Sequence, residues 1–335
     1  MFLAGDIGGT KTVLALFPLA PPDTLFSQAG HSHTYPSEEY ASLEEVVIDF
    51  VAKTGVQPVG ASFGVAGPVI NGRAQVTNLP WVIDTAVLQQ TLGTPDVYLL
   101  NDLESIANAV PYLTADELIT INEGQRNPTG PIAVIAPGTG LGEAFLIHDG
   151  QRYRAFPSEG GHATFSPVNT VQRELLAYLE PRFDHVSFER VCSGSGIPNL
   201  YAFLRDSGRF TEPPHLKERL ANSENWTPVI VTAAQAGEAE ICTATLDLFI
   251  DILANETSNN AIRLLATGGI YLGGGIPPRI VPQLTDGDFM HRYSLKGRFS
   301  EMVSRMPVHI IKDPLAGLHG AAYFGLEMMR RKSGD

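Results

Sequence analysis

Cysteine, positive charge and long apolar runs are all scarce in this sequence of 335 residues. Its two cysteines, Cys192 and Cys242, form neither a disulfide framework nor a zinc-binding pattern, which indicates a reducing compartment. Lysine and arginine number 23 against 36 acidic residues. The resulting net charge of −13 argues against broad binding to nucleic acid or to an anionic membrane. No apolar run approaches transmembrane length, and Asp6 interrupts the N-terminal one, so we expect a soluble cytoplasmic protein.

The bulk composition is that of a globular protein with a sizeable core. Hydrophobic residues make up 44% of the chain and charged residues 18%. The length suits two domains or one large α/β unit. Because the net charge of the chain is negative, it can bind an anionic ligand only where backbone N–H groups and a few cations hold that ligand.

The first segment, "MFLAGDIGGTKTVLALF", nearly fits a phosphate-binding P-loop. Thr10 stands where that motif needs glycine, and the residues after it form a short apolar run instead of a helix. The run Val13–Phe17 is typical of a strand. The segment is therefore predicted to be strand, glycine-rich turn and strand, and the P-loop interpretation fails.

The first turn still has the chemistry to hold a phosphate. Gly8, Gly9 and Thr10 offer consecutive backbone N–H groups, and such nests bind anions. Asp6 precedes the turn and is a candidate Mg²⁺ ligand, acting through water because Mg²⁺ keeps much of its hydration shell. Lys11 is the cation of the turn, and it either assists the phosphates or points outside.

A second hairpin of the same kind is predicted at "PIAVIAPGTGLGEAFLI". Gly138, Thr139 and Gly140 repeat the glycine and threonine pattern of the first turn. Glu143 stands where the dinucleotide-binding fingerprint needs its last glycine, and a strand follows, so that fingerprint is not met. A plain hairpin is the alternative for either turn alone. Two such turns in one chain favour a duplicated architecture with one phosphate-binding hairpin in each domain.

Between and after the hairpins the pattern alternates strands with helices. Ser42 and Glu45 form a capping box that predicts a helix start. "DVYLLND" is a buried strand that ends at Asn101 and Asp102 and runs into a helix, which directs polar side chains into the crevice of an open α/β sheet. Helical periodicity dominates residues 171–266, and "LAGLHGAAYFGLEMMRR" predicts a last amphipathic helix.

Several strings along the chain resemble the bacterial-type glucokinase family. They occur in family order and span nearly the whole sequence: "GDIGGTKT", "NLPW", "LLNDLESIA", "APGTGLG", "PSEGGH", "SFERVCSGSGIPNLY", "LGGGIPPR" and "DPLAGLHGAA". The related ROK sugar kinases usually carry a cysteine-rich zinc motif, which two distant cysteines do not supply. The non-ROK branch is therefore favoured.

The resemblance implies the two-domain actin-like ATPase (ribonuclease H-like) fold, as in hexokinase, actin and Hsp70, with a cleft between a small and a large α/β domain. The small domain is expected over residues 1–110, completed by the C-terminal helix 314–335, and the large domain over 111–313. The family is commonly dimeric, which implies a homodimer.

By the same resemblance, Asn101 and Asp102 contact a hexose, and Asp102 is the base that accepts the hydroxyl proton. A helix cap is the alternative for these two residues. Glu159, His162 and Glu189 resemble the sugar-contacting residues of the family, and Asn78 is a weaker candidate of the same kind.

Without the family, these side chains have plainer interpretations. The alternative interpretation of His162 is a structural histidine. The alternative for Glu189 is a surface residue of a helix that is capped at Ser187. Gly274 and Gly275 resemble the adenosine side of the ATP site. Their alternative is a strand end that leads into a helix begun by Pro278.

The implied reaction is the phosphorylation of glucose by ATP with Mg²⁺, giving glucose 6-phosphate and ADP. One alternative is a kinase for another hexose, such as mannose, fructose or an amino sugar. The other is a sugar sensor on the same fold that has no catalytic activity, since a fold does not fix a function. The sensor is disfavoured because Asp102 is present and no basic DNA-binding extension is found.

Overall fold

The structure is a computed structural model that describes residues 1–19 and 30–333. The chain divides into two compact units. Unit 1 comprises Met1–Glu117, Tyr153–Pro157 and Asp313–Asp335, and unit 2 comprises Leu118–Arg152 and Ser158–Lys312. The last two positions of the predicted C-terminal helix, 334 and 335, lie outside the described residues.

Unit 1 is built on a mixed sheet of five strands. Its strand order is β3-β2-β1-β4-β8, in which β1, β4 and β8 run parallel and the β1–β2 and β2–β3 pairs are antiparallel. The strands are β1 (Phe2–Ile7), β2 (Lys11–Phe17), β3 (His31–Pro36), β4 (Ala61–Val65) and β8 (Val97–Asn101). A separate three-stranded antiparallel sheet contains β5 (Val69–Ile70), β6 (Arg73–Gln75) and β7 (Val82–Asp84).

Helices cover both faces of the larger sheet of unit 1. They are α1 (Leu43–Thr54), α2 (Thr85–Leu92), α3 (Asp102–Ala109) and α12 (Ala316–Ser333). The predicted start of α1 is confirmed: the Glu45 amide donates to Ser42 Oγ at 3.4 Å, while the Glu45 carboxylate accepts from the Ala41 amide. The helix ends at Gly55, whose φ of +68° is the left-handed cap that glycine favours.

Small residues let α12 pack closely within unit 1. A Cβ on Gly320 would lie 1.7 Å from the Ser105 carbonyl oxygen of α3, and one on Gly325 would meet the Phe2 ring of β1. Phe2, Phe17 and Leu318 lie in the apolar core on this side of the sheet. The last helix thereby packs against α3 and against the amino end of β1, while Gly317 in its first turn faces Asp6 near the carboxyl end of β1.

Unit 2 has its own mixed sheet, in which five strands neighbour one another in the order β11-β10-β13-β14-β9. The parallel strands β10, β13 and β14 form its centre, and the β10–β11 pair is antiparallel. These strands are β9 (Leu118–Asn122), β10 (Ile132–Pro137), β11 (Leu141–His148), β13 (Gly269–Leu272) and β14 (Val308–Ile311). The remaining strand, β12 (Tyr153–Ser158), has its first five residues in unit 1.

The helices of unit 2 surround a core centred on the 25-residue helix α8. They are α4 (Thr170–Leu179), α5 (Ile197–Asp206), α6 (Pro214–Ala221), α7 (Trp226–Gln235), α8 (Glu240–Leu264), α9 (Val281–Thr285), α10 (Asp288–Tyr293) and α11 (Ser300–Ser304). The predicted helical region 171–266 is confirmed by α4 to α8.

Both predicted hairpins are confirmed as β1–β2 and β10–β11, so neither glycine-rich turn is a P-loop. The helix expected to begin at Pro278 is instead a short 3₁₀ turn, Pro277–Arg279, before α9. None of the helices described over residues 1–19 and 30–333 combines the length and apolarity needed to span a membrane.

Candidate active site

In unit 1, the turn between β1 and β2 is closed by its own backbone. The Gly8 amide donates to the Lys11 carbonyl oxygen at 3.0 Å. The amides of Gly9 and Thr10 have no hydrogen-bond partner among the described residues, and Thr10 is exposed. Of the three predicted N–H donors, Gly8 therefore shapes the turn, and Gly9 and Thr10 are the two available to an anion.

A distant segment braces this turn. Ser37 Oγ donates to the Gly8 carbonyl oxygen at 2.8 Å and lies 3.0 Å from Thr12 Oγ1, and both Ser37 and Thr12 are buried. The Ser37 amide also donates to the Thr10 carbonyl oxygen at 3.0 Å. These bonds fix the turn conformation before a ligand arrives.

Gly9 is also the point where a second loop approaches the turn. A Cβ at Gly9 would lie 2.8 Å from the Thr77 carbonyl oxygen and 3.5 Å from Asn78 Cβ. Asn78 has a φ of +65°, a conformation that asparagine tolerates better than most residues. The predicted residue Asn78 thus lies beside the turn of Gly8, Gly9 and Thr10, on the surface of unit 1.

Asp6 and Asp102 lie close together at the carboxyl ends of parallel strands of unit 1. Burial, and next the charge of Asp102, raise the pKa of Asp6 to about 6, while Lys11 lowers it. The Asp6 carboxyl also faces the first turn of α12, where a Cβ on Gly317 would lie 3.5 Å from it. These two neighbouring carboxylates fit a hydrated divalent cation. The positive charge of the cation would offset the desolvation of the Asp6 carboxylate and its repulsion by Asp102.

Asn101 and Asp102 mark the junction of β8 and α3. The Leu103 and Glu104 amides donate to Asn101 Oδ1 at 3.0 and 3.4 Å, and Asn101 Nδ2 donates to the Gly67 carbonyl oxygen at 3.1 Å. Asn101 therefore caps α3, as its alternative interpretation predicts. The Leu103 amide also donates to Asp102 Oδ1 at 2.8 Å, which orients the carboxylate at the helix start.

In unit 2, the second turn is held in the same way as the first. The Gly138 amide donates to the Gly140 carbonyl oxygen at 2.9 Å. The Gly194 and Ser195 amides then donate to the carbonyl oxygens of Gly138 and Thr139 at 2.8 and 3.1 Å. A Cβ at Gly194 would lie 2.8 Å from the Gly138 oxygen, so only glycine permits this approach.

The turn after β13 lies beside the turn after β10, because these strands are parallel neighbours. Gly274 has a φ of +77°, and a Cβ there would lie 2.6 Å from the Pro137 carbonyl oxygen. The Gly275 nitrogen lies 3.9 Å from the position that a Cβ on Gly138 would take. The sequence-predicted ATP residues of unit 2 are thus adjacent in space: Gly138, Thr139, Gly140, Gly274 and Gly275.

The predicted sugar-contacting residues of unit 2 also form one group. The Leu141 amide donates to Glu189 Oε2 at 3.0 Å, and the Glu189 amide donates to the Gly161 carbonyl oxygen at 2.8 Å. His162 Nδ1 lies 4.0 Å from Glu189 Oε1, and His162 Nε2 lies 3.8 Å from Glu159 Oε2. Glu159 and His162 are exposed, so their polar atoms can contact a small polyol.

Glu189 is not on a helix, which corrects one interpretation drawn from the sequence. It lies in a turn that follows Ser187, and the next helix, α5, begins only at Ile197. The turn folds because the amides of Val191 and Cys192 donate to the Phe188 carbonyl oxygen while Phe188 is fully buried. This conformation directs the Glu189 side chain to β11 at Leu141.

A further cluster in unit 1 has the donor types of a metal site. Atoms of Glu117, Asp313 and His319 lie within 4.8 Å of one another. His319 Nδ1 lies 2.8 Å from Asp313 Oδ2, and Glu117 Oε2 accepts from the amide and hydroxyl of Thr114. Each of these side chains makes a hydrogen bond within the chain. We therefore interpret the cluster as a structural contact that stabilises the start of α12.

The two units share one plan. Each carries a glycine-rich hairpin within an α/β sheet, and unit 1 adds two carboxylates near strand ends. This arrangement defines the class of two-domain, actin-like ATPase-fold sugar kinases. The family model for glucokinase matches residues 3–328, and the chain belongs to the glucokinase family.

Relatives and solved structures agree with this assignment. The glucokinase of Nostoc sp. (strain PCC 7120) is 39% identical over 96% of this chain and 98% of its own length. The crystal structure of a glucokinase from an Antarctic psychrotroph is 32% identical and superposes with a TM-score of 0.84 over 96% of this chain and 98% of that one. The predicted family, fold class and kinase activity are confirmed.

A more distant structure supports the fold alone. The ROK family glucokinase from Streptomyces griseus, solved in complex with glucose and AMPPNP, is 18% identical with a TM-score of 0.62, over 96% of this chain and 98% of that chain.

Proposed function

We propose that this protein transfers the γ-phosphoryl group of ATP to the 6-hydroxyl of glucose, releasing glucose 6-phosphate and ADP. The observation that carries the proposal is the Asp102 carboxylate, held at the end of β8 by the Leu103 amide in a member of the glucokinase family. A carboxylate fixed in this way can accept the hydroxyl proton as the sugar oxygen attacks phosphorus.

Unit 1 supplies the base and the metal ligand in this proposal. Asp102 takes the proton, and Asp6 holds hydrated Mg²⁺ through water. The Gly9 and Thr10 amides donate to ATP phosphate oxygens, and Lys11 adds positive charge near Asp6. Mg²⁺, when bound, neutralises charge on the transferring phosphoryl group.

Unit 2 supplies sugar contacts and the second nucleotide turn. Glu159, His162 and Glu189 contact the sugar hydroxyls, and Glu189 is oriented by the Leu141 amide. Asn78 of unit 1 and the cap residue Asn101 complete the proposed sugar set. The turns with Gly138, Thr139 and Gly140 and with Gly274 and Gly275 hold the nucleotide.

The same proposal extends to assembly and setting. We propose that residues 1–110 with 314–335 act as the small domain and 111–313 as the large one. We also propose a cytoplasmic homodimer that supplies glucose 6-phosphate to glycolysis. Light scattering coupled to size exclusion measures the mass, and a value near the 36.1 kDa of one chain would contradict the dimer.

The proposed reaction is tested by ADP release from Mg-ATP across a panel of hexoses, with a no-sugar control. We expect strong turnover with glucose, and little with mannose, fructose or glucosamine. A preference for another hexose would overturn the named substrate and keep the kinase. ATP binding without any sugar-dependent turnover would support the alternative of a sugar sensor.

We expect Glu189→Ala to raise KM for glucose by about 10–100-fold, while kcat changes much less. The reason is that a hydrogen bond to a charged group contributes about 1.5–3 kcal/mol. Steady-state kinetics with glucose as the varied substrate measures the effect. Glu180→Ala is the matched control, because Glu180 is an exposed glutamate at the end of α4. An unchanged KM in Glu189→Ala would remove Glu189 from the sugar set.

A further inference from the structure

Two glutamates that take no part in the proposed chemistry are buried together in unit 2. Glu143 on β11 is 4% exposed and Glu256 on α8 is fully buried. Carboxylates are almost never buried to this degree without a partner, because desolvation penalises the charged form. Burial and the neighbouring Glu256 raise the pKa of Glu143, and burial raises that of Glu256.

The surroundings distinguish the two carboxyl groups. Glu256 accepts hydrogen bonds from Asn259 Nδ2 at 2.9 Å, Asn260 Nδ2 at 3.1 Å and Arg263 Nη1 at 2.9 Å. Glu143 Oε1 is buried and has no hydrogen-bond partner among the described residues. Glu256 is therefore built to carry the negative charge, and Glu143 is the group that keeps the proton.

Glu143 also touches the turn that carries two sugar-contacting residues. A Cβ at Gly160 would lie 2.0 Å from Glu143 Oε2, and one at Gly161 would lie 2.0 Å from the Leu141 carbonyl oxygen. The turn Gly160–His162 is thus wedged against the strand that also donates the Leu141 amide to Glu189.

From this geometry we propose that Glu143 is a positioning residue for the sugar site: paired with Glu256 and sharing one proton with it, Glu143 holds the turn of Glu159 and His162 in its binding conformation. The inference rests on the proposed sugar contacts. Loss of the shared proton places two buried negative charges side by side, and their repulsion moves the Glu143 side chain against Gly160.

Other charged or titratable groups face the pair from each neighbouring element. Arg263 of α8 lies on Glu256, and Lys296 lies near it through hydrogen bonds to Asn255 and Asn259. The Cys192 thiol is fully buried beside both glutamates, and burial followed by their charge raises its pKa. Burial and the charge of Glu256 raise the pKa of Glu143 more than a hydrogen bond from Asn260 and the charge of Arg263 lower it, so the proton is what neutralises Glu143.

The proposal predicts a pH dependence of sugar affinity that kcat does not share. Because the pKa of Glu143 is raised, the pair keeps its proton at neutral pH and loses it as the pH becomes alkaline. We expect KM for glucose to rise in that alkaline range. Glu143→Gln, a neutral isostere of the protonated acid, should keep KM within about twofold at pH 7 and flatten the alkaline rise.

Glu143→Ala should raise KM for glucose about tenfold at pH 7 with a smaller change in kcat, because the turn loses its support. Asp247→Asn is the matched control, since Asp247 is another α8 carboxylate whose pKa is raised by burial, and it lies outside the network. An alkaline rise that persists in Glu143→Gln, or an Ala variant with unaltered KM, would overturn the positioning role.

A readout that needs no turnover separates this inference from the proposed function. The wild-type protein should show the infrared carbonyl band of a buried protonated carboxylic acid, and Glu143→Gln should abolish it. Absence of the band at neutral pH contradicts the shared proton even if the enzyme phosphorylates glucose. If the band is present in a protein without glucose-dependent turnover, the carboxyl pair stands and the sugar role falls.

Discussion

Asp102→Asn is expected to lower kcat for glucose phosphorylation by about 10²–10⁴-fold, the usual contribution of a general base. Asparagine keeps an oxygen that accepts from the Leu103 amide, as Asp102 Oδ1 does at 2.8 Å, but it cannot take up the hydroxyl proton. Asn101 continues to cap α3, so the helix start should be retained. Initial rates at saturating glucose and Mg-ATP measure the loss.

The control for this variant is Glu104→Gln on the same helix. Glu104 is partly buried, and burial raises its pKa, but it is not among the proposed site residues. Its variant should retain near wild-type kcat, and both variants should melt at or above the wild-type temperature, because each removes a charge that burial or a neighbouring carboxylate penalises. If Asp102→Asn stays folded and turns over at nearly the wild-type rate, another group must be the base.

The parts of the site that lie close together in sequence could be predicted from it. The turn of Gly8 and Gly9 and the turn of Gly138 and Gly140 each lie between two short apolar runs, and the period and turn residues suffice to predict the hairpins. Asn101 and Asp102 were predictable for the same reason, since they end one strand and begin the next helix.

The hydrogen bonds that hold the site residues in place could not be predicted, because the two partners of each bond are distant in sequence. Ser37 reaches Gly8 across 29 residues, and Glu189 reaches Leu141 across 48. No local period or spacing encodes either contact. The alternative interpretation of Glu189 as a helix residue is wrong because the fully buried Phe188, whose packing fixes the turn, has no signature in the neighbouring residues.

The proposed positioning role of Glu143 could not be predicted from the motif in which Glu143 lies. In the sequence it only breaks a glycine fingerprint, and its partner Glu256 lies more than a hundred residues away on a helix with few other acidic neighbours. The two meet because α8 packs within the core of unit 2. A glutamate in an otherwise apolar strand pattern is the one signal that could have been followed.

Asp6 is expected to lower the free energy of unfolding of the metal-free protein while it supports catalysis. Its pKa is raised from 3.8 to about 6, so the folded protein binds a proton that the unfolded chain releases between these values. The free energy of unfolding is therefore reduced as the pH rises from about 4 to about 6, and the cost persists at higher pH. The difference corresponds to a cost on the order of 3 kcal/mol for the metal-free protein at pH 7.5.

Asp6→Asn removes that cost and should raise the melting temperature at pH 7.5 in EDTA by about 2–5 °C. Its kcat should fall by about 10²–10³-fold, because an electrostatic stabiliser of phosphoryl transfer is lost. Mg²⁺ should stabilise the wild-type protein and leave the variant unchanged. Asp84→Asn, which keeps the cap of α2, should alter neither property. Thermal melts with and without Mg²⁺, beside initial rates, test this. A destabilised Asp6→Asn with a normal response to Mg²⁺ would show that Asp6 serves the fold and not the metal.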